Sequence, residues 1–174
     1  MREVGAEGKA GIGMKALTIW QPWASLIMAG AKPYEFRGWS AWPSVIGQRI
    51  VIHAGAPMIE ADEIRELLRR LADPSVARFT GLLPDKAVPI LERALKEPAM
   101  FPRKHALGTA MLGKPVLASD LWPEAFTSDS SRIEQSNWAW PLTDLEHFTP
   151  PIPSRGAQGF WQWGGKSPNT RAAA

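Results

Sequence analysis

Apolar positions come in short runs along this chain, and the period of each run tells strand from helix. Ala16 to Trp20 is a β-prone run and the first expected strand. Pro22 suits the first turn of a helix, where its missing N–H is not needed. Trp23, Leu26 and Ile27 then fall on one helical face, and Gly30 is a natural stop. Tyr34 to Trp39 alternates as a strand does, which puts Glu35 and Arg37 on one face and Tyr34 and Phe36 on the other. Gly47 to Ala54 reads as the clearest buried strand.

Residues 60–71 repeat at helical spacing, with Ile64, Leu67, Leu68 and Leu71 as the apolar stripe. The acids Glu60, Asp62 and Glu63 come first and Arg65, Arg69 and Arg70 later, as the helix dipole favours. Pro89 is expected to open a short helix that Pro98 closes. Gly-punctuated strands follow from His105 to Leu117, then two short aromatic ones, Asn137 to Trp140 and Gly159 to Trp163. Strands and helices do not alternate regularly, so a doubly wound parallel sheet fits poorly. The expectation is an α+β domain on a small curled sheet or barrel, spanning residues 14–163. Residues 1–13 and 164–174 lack periodicity and are expected to be disordered, with Met14 a candidate natural start.

Composition narrows the classes. Sixteen prolines and nine tryptophans argue against a helical bundle and for short strands joined by turns. The chain has no cysteine and three scattered histidines, so no metal site and no cofactor is expected. No apolar run approaches the ~18 residues of a membrane span. The first residues form no secretory signal, and the expected location is cytoplasmic. Twenty basic against 17 acidic side chains give a net charge of +3, which permits nucleic-acid contact without demanding it. Any basic surface is therefore local.

Lys32, Glu35 and Arg37 stand among Trp20, Trp23, Tyr34 and Trp39. Aromatic walls around two cations and a carboxylate could stack a base and pair with its edge or phosphate. The same residues could equally be a solvated turn with a local ion pair, and spacing leaves both open. Trp138, Trp140 and Trp161 read as packing residues, Trp39 and Trp42 as the exposed pair. The run Pro102 to His105, with Lys114, reads slightly better as a solvated loop than as a basic rim. The Arg65, Arg69 and Arg70 stripe reads as charge complementation within its helix, with Glu66 as a partner. There is no nucleophile elbow, P-loop or dinucleotide fingerprint, and Ser25, Thr109 and Ser136 have no evident histidine partner.

The segment LTIWQPWASLIMAGAKPYEFRGW closely resembles the opening of the ASCH (activating-signal-cointegrator homology) domain. The family's Gly-x-Lys-x-x-Glu-x-Arg signature is met by Gly30, Lys32, Glu35 and Arg37, and Gln21 to Ser25 matches the coactivator branch. HALGTAML and PIPSRGAQGFWQW are looser matches. The resemblance implies a PUA-like small β-barrel with surrounding helices and a cleft over the signature. It implies RNA or another single-stranded nucleic acid, or a nucleotide-like small molecule, as partner of a monomer. Lys32, Glu35, Arg37, Trp23, Tyr34 and Trp39 would then line the binding site. Some relatives are ribonucleases or hydrolyse N4-acetylcytidine, which would make Lys32 a general base, with Glu35 beside it. In the latter branch a nucleophilic threonine falls where this chain has Glu35, and a carboxylate does not replace a hydroxyl in acyl transfer. A protein-interaction module of coactivator type is the remaining alternative.

Overall fold

The computed structural model describes residues 13–122 and 138–164. In chain order these form β1 (Lys15–Ile19), α1 (Trp23–Met28), β2 (Tyr34–Arg37), β3 (Arg49–Ala54), α2 (Ala61–Ala72), α3 (Pro74–Ala77) and α4 (Pro84–Lys96). Then come β4 (His105–Leu112), β5 (Val116–Leu117), α5 (Ala118–Leu121), β6 (Trp138–Pro153) and β7 (Phe160–Gln162). The strands make one curled mixed sheet in the order β2-β6-β4-β3-β1-β7, with β5 pairing β6 off that path. Only β1 and β3 run parallel, in the register Ala16 to Val51 through Ile19 to Ala54. The fold is the α+β arrangement the sequence pattern implies, a half-barrel with helices around it. Among the described residues no helix is long and apolar enough to cross a membrane. None of their His, Asp or Glu side chains gather in threes as a metal site would require.

Two apolar cores meet at α1. Ile27 and Met28 pack on the sheet with Leu17, Ile50, Ile52, Leu107, Trp140 and Phe160. Leu26 faces the other way, into Ile64, Leu67, Leu71, Leu91 and Phe101 of the helical layer. Trp23 touches both. A six-residue helix is too short to persist alone, so burial on both sides holds it. Gly108 lets it approach the sheet: a Cβ there would collide with the Glu146 carbonyl and with Met28.

Several expectations are corrected. The helix expected to open at Pro89 begins at Pro84, in the first-turn position that tolerates a missing N–H, and Pro89 lies inside it. The strand expected to end at Trp39 stops at Arg37, and that expected from Gly47 starts at Arg49. The largest omission is β6, a 16-residue strand with four prolines, of which only the first residues were foreseen. It pairs with β2, β4 and β5, and its register with β4 shifts twice, between Ala106 and Gly108 and between Thr109 and Met111. Shifts of this kind bend a strand, which is how one segment serves both sides of a curled sheet. Arg49 pins that region: its guanidinium donates to the Thr109 hydroxyl (2.9 Å), to the Asp144 carbonyl (2.8 Å) and to the Asp144 carboxylate, and pairs with Glu146 (3.3 Å). Residues 1–12 and 165–174, and the expected strand start at Asn137, lie outside the described residues.

Candidate functional site

Gly30 ends α1 in the left-handed conformation, φ 67°. Its N–H bonds the Ile27 carbonyl (2.8 Å), and the Ala31 N–H reaches back to Leu26 (2.9 Å). This is a Schellman closure, which needs a residue without a Cβ penalty at that position. The Lys32 N–H also returns to Leu26 (3.1 Å), so the chain reverses tightly and Lys32 enters the protein rather than the solvent. The Gln21 side chain secures the other end of α1. Its carbonyl oxygen accepts the Ser25 N–H (3.1 Å), while its amide donates to the Ser25 hydroxyl (2.8 Å) and the Pro102 carbonyl (2.6 Å).

Lys32, Glu35 and Arg37 come together. Lys32 Nζ bonds Glu35 Oε2 (3.1 Å) and the Tyr34 carbonyl, and lies 5.2 Å from the centre of the Phe36 ring. Arg37 Nε bonds the other oxygen, Oε1, at 2.8 Å. The Lys32 side chain is fully buried, that of Glu35 is 8% exposed and that of Arg37 is 25% exposed. Burial alone would push the Glu35 carboxyl up; the charges of Lys32 and then Arg37, with their hydrogen bonds, overcome it and hold the group below 4.5. The triad therefore carries one positive charge in excess, presented outward by Arg37.

Arg37 also bridges the open side of the half-barrel. Strand β7 pairs with β1 only as far as Leu17, and the Ile19 carbonyl is taken by the Gly55 N–H. The Thr18 carbonyl is left to the open side, where an Arg37 terminal nitrogen donates to it at 3.1 Å. A side chain of one edge strand thus reaches the far side of the sheet. The Thr18 hydroxyl serves a second set of bonds: it accepts from Trp161 Nε1 (3.0 Å) and donates to His53 Nδ1 (3.2 Å). His53 Nε2 then donates to the Ser154 carbonyl (3.0 Å). All four groups are satisfied when His53 is neutral with its proton on Nε2. Burial, countered in part by the Ser154 bond and aided by His105, lowers the His53 pKa from 6.5.

The aromatic candidates separate. Trp39, two residues past Arg37, is 36% exposed and packs edge-on against buried Trp140 (4.7 Å) and Phe160 (5.9 Å), with exposed Trp42 at 6.3 Å. Trp23 is half-buried between the two cores, and Tyr34 packs with Phe36 in a separate cluster. Trp140 is core and Trp161 half-buried. Trp138 is half-buried too, packed on the sheet core. Ser25 and Thr109 are engaged in the bonds already described, and Ser136 lies outside the described residues. Thr18 and His53 had not been singled out, and Trp161 had been read only as a packing residue. The one available signal was a polar histidine interrupting the apolar run of β3.

A family model of the ASCH domain matches residues 17–151. Among solved structures, the chain is similar to the ASCH protein of Zymomonas mobilis at 18% identity, covering 88% of this chain and 89% of that one, with a TM-score of 0.48. A point mutant of the same Zymomonas mobilis protein gives 18% identity, 87% and 89% coverage and a TM-score of 0.47. No curated protein matches the chain.

Proposed function

Because the chain belongs to the ASCH domain family, we propose that it is an RNA-binding domain, acting as a monomer, whose signature residues bind one phosphate or base edge. The observation that carries this reading is the unequal triad. One carboxylate is shared by two cations, and the outer of these, Arg37, keeps part of its guanidinium at the surface. Arg37 is the contact residue, since its planar fork suits a phosphate or a base edge. Lys32 acts from below as a buried charge and Glu35 orients both. Trp39 and Trp42, beside Arg37 in sequence and exposed, supply the stacking faces. Trp23 and Tyr34 support the site through packing.

The geometry favours binding over hydrolysis. A general base at Lys32 would have to give up bonds to Tyr34 and Glu35, and Glu35 has both oxygens engaged. The test is a fluorescence-anisotropy titration of a labelled single-stranded RNA against wild type, Arg37→Gln and Trp39→Ala at two salt concentrations, with a gel of the same samples. Salt-sensitive binding weakened at least ~10-fold by Arg37→Gln, with intact RNA on the gel, is expected. Unchanged affinity in Arg37→Gln would remove the site assignment. Cleavage by wild type that Lys32→Met abolishes would replace the binding reading with the ribonuclease one.

A further inference from the structure

Four loops meet where the parallel strands β1 and β3 end. The β1–α1 loop brings Trp20 and the β3–α2 loop brings Gly55 to Met58. The loop before β4 brings Arg103 and Lys104, and the β6–β7 loop brings Arg155. Backbone bonds stitch them together. The Lys104 N–H donates to the Ala54 carbonyl (2.8 Å), and its own carbonyl accepts the Ser154 N–H (2.9 Å). Arg103 donates to the Ala56 carbonyl (2.9 Å). Trp20 lies across Gly55, where a Cβ would come within 3.0 Å of its ring. At Gly156 a Cβ would collide with His53 and come within 2.7 Å of the Thr18 hydroxyl, so the Arg155 loop lies directly on the residue whose carbonyl holds Arg37.

The surface this makes is cationic and aromatic. Arg103, Lys104 and Arg155 are exposed and form no ion pair among the described residues. Glu60, the acid that ends the β3–α2 loop, is engaged in capping α2 with Glu63. Trp20 is 49% exposed. Beside Arg103 opens a cavity of about 510 Å³ lined by Met58, Pro98, Ala99, Phe101 and Pro102, a volume that suits a nucleobase with its sugar. Lys104 holds a left-handed backbone, φ 57°, which costs a side-chain-bearing residue about 1 kcal/mol and which glycine would adopt freely.

We propose that this loop cluster is a second RNA subsite: phosphates of a single strand cross Arg103, Lys104 and Arg155, one base stacks on Trp20, and a neighbouring base enters the Met58–Phe101 cavity. The proposal rests on the RNA-binding reading and adds a direction to it. A strand with one nucleotide at Arg37 continues over Thr18 and Gly156 onto the basic loops, where three cations meet its phosphates.

The experiment compares wild type, the triple variant Arg103→Gln/Lys104→Gly/Arg155→Gln and Arg37→Gln. Each is titrated with a labelled 12-nucleotide RNA at several salt concentrations and with a single nucleoside monophosphate. The triple variant is expected to bind the 12-mer at least ~10-fold more weakly and to lose about two units of salt slope, with unchanged affinity for the monophosphate. Its melting temperature should stay within a few degrees of wild type, because glycine relieves the backbone at position 104. A 12-mer affinity and salt slope unchanged in the triple variant would overturn the proposal. Equal losses for 12-mer and monophosphate would overturn it too, by showing that the loops act on the Arg37 site alone. If Arg37→Gln binds both ligands normally while the triple variant fails on the 12-mer, the second subsite stands and the signature-site reading falls.

Discussion

Glu35 has one oxygen on Lys32 and the other on Arg37, so Glu35→Gln leaves two cations facing each other with no charge between them. Breaking a buried pair from one side costs about 3–5 kcal/mol, and a loss in that range is expected in urea unfolding at pH 7. The pH dependence has a fixed sign. The folded carboxyl is held below 4.5, so its stabilisation is full above that value and is lost as pH falls through the lower, folded pKa. Wild type should therefore lose stability on acidification below about pH 4.5, and Glu35→Gln should lose less over the same interval. His53 has the same sign for a different reason: burial makes the neutral form the native one. Its ring should titrate below 6.5 by NMR, with the Nε2–H tautomer throughout the neutral range, and the stability it lends should decline as pH drops below 6.5. The spacing of Lys32, Glu35 and Arg37 was legible because strand alternation alone puts Glu35 and Arg37 on one face. The depth of Lys32 was not. It depends on a Schellman turn and on the segment before α4 closing over Ala31, through the Leu83 N–H to Ala31 carbonyl bond (2.8 Å), some fifty residues away in sequence.

Short elements here owe their existence to glycines at particular angles and close approaches. Gly30→Ala should lower stability by about 1 kcal/mol through its left-handed φ alone, because the nearest atom to a new Cβ, Lys86 Nζ, is 3.5 Å away. Gly81→Ala, also left-handed at φ 71°, should cost more, since its Cβ would fall 2.7 Å from Phe36. Gly108→Ala should cost most, because backbone and α1 are both in the way. Thermal melts of the three variants in that order of loss would check the series. The elements with clear periodicity, α2 and β3, were readable to within two residues. Strand β6 was not, because its prolines argue for loop and its burial pattern follows no strand alternation, either in the stretch to Pro141 that pairs with β2 or in the stretch from Leu142 that pairs with β4. The β6–β4 pairing is a property of the register shifts and not of local propensity.

At the scale of the molecule, the α+β class and the family signature were both present in the sequence, and the paired cores around α1 were not. The net charge of +3 says nothing of where the charge sits: among the described residues six carboxylates pair with six cations, while Arg103, Lys104 and Arg155 form no ion pair. The Arg37 to Thr18 bond has one more consequence. Strands β2 and β7 are the two ends of the hydrogen-bonded path, and such ends are templates on which a second chain can add itself. The Arg37 guanidinium occupies the open acceptor beside β7, and Trp39 and Trp42 lean on Phe160 at that strand's first residue. Arg37 should thereby also act as a guard against self-assembly. Light scattering during prolonged incubation should show Arg37→Gln forming larger particles than wild type, and the triple loop variant should not.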